Sequence, residues 1–323
     1  MSEQIAFLFP GQGAQSIGMG RDFFDSFRVA REVFEEADER LGFYLSRLIF
    51  SGDRAELTAT KNSQVAIYVT SLAIQKVIAD QMPTLQPVVC SGLSLGEYTA
   101  LTVAGKLSWD QGLALVRARG EYMEAAGRSC PGTMAVVLGM AVDKIRQVIA
   151  TSAEKEVWIA NLNCPGQVVI SGTEKGIARI SQALLTHGAK RVLSLAVSGA
   201  FHSGLMASAQ EKLAPLIHAT SLVEETASSI VMNVPGDYVT HSPDQKRYLI
   251  EQVVAPVYWE KGIRAMKERG VTRFIEIGCG KTLVGMNRKM GLGSATLHVE
   301  KVEDLERLAK VGEKKDEPAR SGV

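Results

Sequence analysis

A Gly-x-Ser-x-Gly pentad, Gly92 to Gly96, is the sequence feature that most constrains the fold. It follows an apolar run from Val88 and precedes a segment from Glu97 that is typical of a helix start, so Ser94 falls on a strand-to-helix turn. Such a turn needs small residues on both sides of the serine, because the strand and helix backbones cross closely there. Ser94 is therefore a candidate nucleophile; the alternative is an ordinary glycine-rich connection.

The same turn predicts a site for an oxyanion. It directs the backbone amide of Leu95 and the positive end of the following helix at any group bonded to Ser94. Gln12 follows the apolar strand 5–9 and has a glycine on each side, which lets the backbone approach a ligand and leaves the Gln12 amide free to donate. A turn without a ligand is an equally consistent interpretation of that segment.

Composition excludes several classes of function. The formal net charge of +1 over 323 residues creates no long-range field for nucleic acid or an acidic membrane. The four cysteines include no Cys-x-x-Cys pair, so we expect no metal site and no cofactor. No apolar stretch reaches the roughly 18 residues of a membrane span, and the N-terminus does not resemble a signal peptide. These features predict a cytoplasmic protein without nucleic-acid or membrane partners.

The order of predicted elements indicates two domains. From 133 to 197 the pattern is β-α-β-β-α-β, the order of a ferredoxin-like unit, and α/β patterns lie on both sides of it. We predict an α/β protein whose hydrolase-like parallel-sheet main domain, 1–130 and 198–310, contains an inserted ferredoxin-like α+β subdomain at 131–197. The active site is expected in the cleft between them. The charged segment 311–323 is expected to be a flexible tail.

Two arginines in a predicted helix over 110–126 differ in position. Arg117 shares a face with Glu121 and Glu124 and is expected to be solvated. Arg119 instead lies on the apolar face, where a guanidinium costs several kcal/mol unless an anion meets it. That anion is either a buried carboxylate from elsewhere in the chain or the carboxylate of a substrate, bound through two parallel hydrogen bonds.

His202 is the preferred general base among five histidines. It follows a glycine-containing loop and opens a predicted helix, whose N-terminus would keep the imidazole neutral and able to accept a proton from a serine. A surface or capping histidine is the alternative. An α/β-hydrolase would place an acid and then its histidine late in the chain. Here the histidine lies mid-chain, so a neutral acceptor could orient it instead.

Several short motifs occur together at coherent spacing. They are residues 9–15, 92–98, 119–120, 163–172 and 199–203, and Gln252. In this order they resemble the malonyl-CoA:acyl carrier protein transacylase family, over almost the whole chain. The resemblance implies a ping-pong transfer for fatty acid synthesis. Ser94 attacks the thioester of malonyl-CoA, and the phosphopantetheine thiol of acyl carrier protein then takes the malonyl group.

The resemblance also assigns roles within the site. His202 would be the general base and acid, oriented by the backbone carbonyl of Gln252, and Arg119 would hold the malonyl carboxylate. The backbone amides of Gln12 and Leu95 would form the oxyanion hole.

Two further residues are expected to meet the substrate. Phe201 would leave little room for an α-methyl branch, and Asn163 is a further candidate for substrate binding. The sequence departs from the family pattern at Leu93, where histidine is usual, and at Cys279, where proline is usual. Leu93 cannot make any hydrogen bond that the usual histidine makes near the site. Cys279 in place of proline affects the rigidity of its loop.

Other functions remain consistent with parts of this pattern. A thioesterase or lipase could use the same serine, but a hydrolase of neutral acyl chains has no use for Arg119. A scaffold that only docks acyl carrier protein would not need Ser94, His202 and Arg119 together. No segment indicates an interface between copies, so a monomer is expected.

Overall fold

Two β-sheets organise the chain, of which the computed structural model describes residues 3–313. The larger sheet has the lateral order β10-β9-β1-β2-β7-β8, and all neighbours are parallel except β7 and β8. Its strands are β1 (Ile5–Phe9), β2 (Val89–Gly92), β7 (Ser229–Met232), β8 (Asp237–Tyr238), β9 (Arg273–Ile277) and β10 (Thr296–Val299).

The smaller sheet is entirely antiparallel and has the order β4-β5-β3-β6. With its two helices it forms the run β3 (Thr133–Leu138), α8 (Val142–Thr151), β4 (Val157–Cys164), β5 (Gln167–Gly172), α9 (Glu174–Thr186) and β6 (Arg191–Ser194). The predicted β-α-β-β-α-β order is therefore confirmed, although the last strand ends at Ser194. The domain limits at 131 and 197 stay predictions.

Helices cover both faces of the larger sheet. They are α1 (Arg21–Ser26), α2 (Arg28–Leu41), α3 (Leu45–Ser51), α4 (Arg54–Thr58), α5 (Thr60–Gln81), α6 (Gly96–Val103), α7 (Trp109–Ser129), α10 (Ala207–Ala219), α11 (Ser242–Glu251), α12 (Trp259–Glu268), α13 (Thr282–Lys289) and α14 (Asp304–Glu313). Because α14 runs to Glu313, residues 311–313 are helical, and the rest of the predicted tail lies outside the described residues. Within 3–313, no helix combines the length and apolar composition that a bilayer crossing requires.

Strand β1 shows why the sheet needs helices on both sides. All five of its residues are buried, as expected for a parallel strand covered on both faces. Side chains alternate along a strand, so Phe7 and Phe9 pack into one hydrophobic cluster and Ala6 and Leu8 into another. A continuous apolar run in the sequence thus becomes the central strand of a three-layer main domain.

The serine turn between β2 and α6 has the close crossing that the pentad predicts. A Cβ atom on Gly92 would lie 2.0 Å from the carbonyl of Gly96, and one on Gly96 would lie 2.2 Å from the oxygen of Phe9. Ser94 itself has φ of 53°, in the left-handed region that costs a residue with a side chain free energy. The turn therefore depends on both glycines.

We expect Gly92→Ala to lower the free energy of unfolding by about 4 kcal/mol or more, because the methyl group has no space against the α6 backbone. Gly285→Ala is the matched control. Its Cβ would meet no atom within 4 Å inside α13, so it should raise the free energy of unfolding by about 1 kcal/mol. Urea unfolding measures both. Equal stability of the two variants would contradict the close crossing.

Candidate active site

The site lies at the carboxyl edge of the parallel sheet. Gln12 follows β1, Ser94 follows β2 and Asn233 follows β7, and these three strands are lateral neighbours. Parallel neighbours end at the same edge, so residues that are far apart in the chain meet there. The smaller sheet closes the cleft from the other side, because Asn161 and Asn163 of β4 line the same cavity as Ser94.

Ser94 and His202 form a hydrogen-bonded pair. The Oγ of Ser94 lies 2.8 Å from the Nε2 of His202, and the Nδ1 of His202 lies 2.7 Å from the backbone oxygen of Gln252. A carbonyl oxygen only accepts, so Nδ1 holds the proton and Nε2 is free to accept the proton of Ser94. The geometry thus places a neutral acceptor behind the histidine, as the resemblance implies for Gln252.

The expected reason for a neutral His202 was wrong, although the direction was right. His202 does not open a helix: it has φ of 57° and precedes a short 3₁₀ turn, Gly204–Met206, with α10 beginning only at Ala207. Burial first, and then the Arg119 cation, lower the pKa of His202 from 6.5 to about 4. The imidazole is therefore neutral at physiological pH without a helix dipole.

Arg119 is almost wholly buried, at 1% exposed, and points at the nucleophile. Its Nη2 donates to the Oγ of Ser94 at 3.0 Å and to the Oε1 of Gln252 at 2.9 Å, and its Nη1 donates to the Oε1 of Gln64 at 2.7 Å. Its Nε has no protein acceptor within residues 3–313. The three acceptors are neutral oxygens, so a buried cation stands beside Ser94 without a contacting carboxylate.

The neighbouring arginine behaves differently, as predicted. Arg117 is partly exposed and pairs with Glu121 one turn along α7. Glu124, expected on the same solvated face, is instead nearly buried and accepts from Arg128 at 2.6 Å and from the Lys61 backbone at 3.3 Å. Position on the helix therefore distinguishes the buried arginine from the surface one.

Two backbone amides are available for an oxyanion. Within residues 3–313, neither Gln12 nor Leu95 donates its backbone N–H to a protein acceptor. Leu95 lies at the N-terminus of α6, next to Ser94. The Gln12 side chain is turned away, with its Nε2 3.4 Å from the Oγ1 of Thr60. The geometry thus leaves two donors beside the nucleophile, where a tetrahedral intermediate places its negative oxygen.

A cavity of about 300 Å³ opens onto Ser94. Phe201, 6% exposed, and Asn163, 5% exposed, both line it, and the Oδ1 of Asn163 has no protein partner within the described residues. Leu93 also lines it and supplies an apolar wall at the position where the family has histidine. Cys279 is buried and belongs to the same hydrophobic cluster as Phe7 and Phe9.

Several polar residues that contact Ser94, Arg119 or Gln252 were not singled out from the sequence. Asn233 accepts the backbone N–H of Ser94 at 2.7 Å, Gln64 holds Arg119, and the Tyr98 ring lies 5.6 Å from the guanidinium carbon. Glu97 is completely buried beneath them. Little in the sequence indicates them, because Gln64 ends the polar run 60–64 at the start of α5 and nothing local tells which partner such a residue meets.

We expect the imidazole of His202 to titrate with a pKa of about 4. The rate of Ser94 acylation should then be independent of pH above about 5. Below that pH the rate should fall, because protonated His202 cannot accept the proton of Ser94. Arg119→Ala should raise the pKa of His202, because it removes a cation that disfavours imidazolium. Arg117→Ala, on the same helix but at the surface, should leave it unchanged. NMR of ¹³C-labelled histidine measures this. A wild-type pKa near 6.5 would contradict the buried geometry.

The chain matches a known family over nearly all its length. The model of the acyl transferase domain matches residues 6–319. The malonyl CoA-acyl carrier protein transacylase of Bacillus subtilis is 44% identical over 305 residues, which cover 94% of this chain and 95% of that protein. The corresponding protein of Staphylococcus aureus strain MSSA476 is 34% identical over 304 residues, 94% of this chain and 97% of its own.

Solved structures give the same result. The malonyl CoA-acyl carrier protein transacylase of Clostridium perfringens superposes with a TM-score of 0.91 at 35% identity, covering 97% of this chain and 98% of that one. A malonyl transacylase solved in complex with its type II polyketide synthase acyl carrier protein superposes with a TM-score of 0.90 at 32% identity, covering 95% and 99%. The chain is therefore an acyltransferase that belongs to the malonyl CoA-acyl carrier protein transacylase family.

Proposed function

We propose that this protein transfers the malonyl group of malonyl-CoA to the phosphopantetheine thiol of acyl carrier protein through a malonyl-Ser94 intermediate. The observation that supports this most is the Arg119 guanidinium, buried without a contacting carboxylate and 3.0 Å from the Oγ of Ser94. A malonyl ester on Ser94 carries a free carboxylate, separated from the ester carbonyl by one methylene group. This carboxylate brings an anion to the Arg119 cation. The names of the relatives agree with this substrate and this acceptor.

In the first half-reaction, Ser94 attacks the thioester carbonyl as its proton passes to the Nε2 of His202, 2.8 Å away. The carbonyl oxygen becomes an oxyanion, which the backbone amides of Gln12 and Leu95 stabilise. When the intermediate collapses, the carbon–sulfur bond breaks and His202 returns the proton to the CoA thiolate. The free thiol leaves and the malonyl ester remains on Ser94.

The second half-reaction runs the same steps in reverse with a different thiol. The phosphopantetheine thiol gives its proton to His202 and attacks the ester, and the proton then goes to the Oγ of Ser94. The backbone carbonyl of Gln252 keeps the imidazole in one tautomer throughout. It adds no negative charge to the imidazole, in contrast to the carboxylate of a serine protease.

Arg119 provides the selectivity. Within residues 3–313, the hydrogen bonds of its guanidinium go to neutral oxygens, and a malonyl carboxylate replaces these partners with a bidentate ion pair. Acetyl-CoA supplies no such anion and leaves the buried cation as it was. A site built around a specific polar partner rejects the analogue that lacks it by about 10⁴-fold.

A fixed acyl group also favours transfer over hydrolysis. A malonyl ester held by Arg119 in a narrow cavity is shielded from water and persists until the acceptor thiol binds. A thioesterase of neutral acyl chains is disfavoured, since it would bury the Arg119 cation without use. On sequence grounds alone, we further propose that the protein works as a monomer in the cytoplasm, without a metal or organic cofactor.

We expect a brief incubation with malonyl-CoA to add one malonyl group to the protein, as seen by intact-mass analysis. Ser94→Ala should abolish the adduct. Arg119→Ala should slow its formation by about 10²- to 10³-fold, because the substrate carboxylate loses its buried partner, whereas Arg117→Ala should react at the wild-type rate. Holo-acyl carrier protein should remove the adduct and gain its mass.

Each alternative gives a different result in this experiment. An adduct that is lost to water at the same rate with and without the carrier protein would favour a thioesterase. No adduct at all would favour a scaffold that only binds the carrier protein. An acetyl adduct formed as fast as the malonyl adduct would contradict the role of Arg119.

We expect Phe201→Ala to admit a branched substrate. The Phe201 ring lines the cavity, and its removal opens space for an α-methyl group, whose accommodation is worth about 1–3 kcal/mol. The ratio of kcat/KM for methylmalonyl-CoA to that for malonyl-CoA should therefore rise about 10-fold or more. Met134→Ala, at another wall of the cavity, serves as a control for enlargement alone. An unchanged ratio in Phe201→Ala would contradict the steric role.

A further inference from the structure

Glu97 is a buried carboxylate that the reaction steps above do not use. It lies in the first turn of α6, three positions after Ser94, and is 0% exposed. Its Oε1 accepts the backbone N–H of Asn233 and its Oε2 accepts the Nε2 of Gln252, each at 2.6 Å. A carboxylate so deeply buried costs free energy unless its charge and its hydrogen bonds are used.

The contacts of Glu97 indicate that it is ionised. Both oxygens face N–H donors, so a protonated carboxyl group would have no acceptor for its own proton. Burial raises the pKa of Glu97 above its ordinary value, while the N–H donors of Asn233 and Gln252 and the Arg119 cation oppose that rise and favour the anion. Because a neutral carboxyl group would place an O–H against an N–H, the anion fits the geometry.

The first partner of Glu97 holds the nucleophile. Asn233 accepts the backbone N–H of Ser94 at 2.7 Å through Oδ1 and donates from Nδ2 to the oxygen of Gly92 at 2.8 Å. Its side chain thus spans the turn and supports the left-handed conformation of Ser94. Glu97 in turn fixes the backbone from which that side chain extends.

The second partner connects the other two groups of the site. The Oε1 of Gln252 accepts from Arg119 at 2.9 Å, and the backbone oxygen of Gln252 accepts from His202 at 2.7 Å. The Nε2 of Gln252 also donates to the backbone oxygen of Ser94 at 3.0 Å. With the amide reversed, Oε1 would face the Glu97 carboxylate and Nε2 would face the guanidinium, so Glu97 selects the orientation that holds Arg119.

We propose that Glu97 is a positioning residue that acts through Gln252: its carboxylate orients the Gln252 amide, and so sets Arg119 for a substrate carboxylate beside Ser94. This inference rests on the proposed malonyl transfer. The Gln252 amide is hydrogen-bonded to both groups, so the Glu97 carboxylate influences Arg119 without contacting it. The guanidinium is thereby stabilised in the free protein by neutral acceptors that a substrate carboxylate can displace, and its Nε has no protein acceptor within residues 3–313. A direct ion pair with Glu97 would be harder to displace.

Glu97→Gln tests this proposal. The new NH₂ group must face either the backbone N–H of Asn233 or the side-chain NH₂ of Gln252, so in either orientation two donors face each other and one hydrogen bond is lost. The initial rates of Ser94 acylation by malonyl-CoA and acetyl-CoA are measured by intact mass, and the malonyl-to-acetyl ratio is compared. We expect this ratio to fall at least tenfold. The pKa of His202, followed by NMR, should rise as Arg119 moves away from the imidazole.

Two further variants separate positioning from stability. Glu276→Gln changes another buried carboxylate, which accepts from Leu283 and Val284 and makes no contact with Ser94, His202 or Arg119. This variant should leave the malonyl-to-acetyl rate ratio unchanged even if it lowers the stability measured by urea unfolding. Gln252→Met removes the amide bridge but keeps the backbone carbonyl toward His202, and should lower the ratio as Glu97→Gln does.

The outcomes distinguish the two proposals. A wild-type protein that forms no malonyl adduct overturns the proposed function itself. A wild-type protein that forms the adduct, with a ratio that stays within twofold in Glu97→Gln and Gln252→Met, overturns only the role of Glu97. If Glu97→Gln does not fold, Gln252→Met decides alone, because it leaves the buried carboxylate in place.

Discussion

The site depends on the approach of two backbones at the serine turn. Strand β2 and helix α6 cross so closely that a Cβ atom on Gly92 would overlap Gly96, and α6 meets the end of β1 so closely that a Cβ atom on Gly96 would overlap Phe9. At this crossing Ser94 has a left-handed conformation, and Leu95 follows it at the N-terminus of α6. Because β1 is the lateral neighbour of β2, the Gln12 amide comes to the same place. The positions of the proposed nucleophile and of the two proposed oxyanion donors thus follow from one local constraint in a parallel sheet.

The buried charges of the site are separated by an amide. Arg119 donates to the Oε1 of Gln252, and the Nε2 of the same amide donates to the Glu97 carboxylate. A direct ion pair between Arg119 and Glu97 would satisfy both groups and leave little for a ligand. Under the proposed function, this indirect arrangement stabilises the buried cation and still lets it bind a substrate carboxylate.

The histidine is controlled by burial more than by an acid. A backbone carbonyl fixes its tautomer, and burial together with Arg119 disfavours the imidazolium form. An imidazole with so low a pKa is neutral at the pH of a cell and, once protonated, releases its proton readily. This property fits the proposed mechanism, in which the proton must return in each half-reaction.

The sequence by itself determined the features that depend on neighbours in the chain. The spacing of glycines predicted the turn at Ser94, and helical periodicity placed Arg119 on a buried face and Arg117 at the surface. The tertiary structure decided what those groups meet. Glu97 lies 136 positions from Asn233 and 155 from Gln252, and His202 is neutral because of burial and Arg119, not because of a helix at its own position. Periodicity reports which side of an element is buried, but the partner of a buried polar group is set by packing between distant segments.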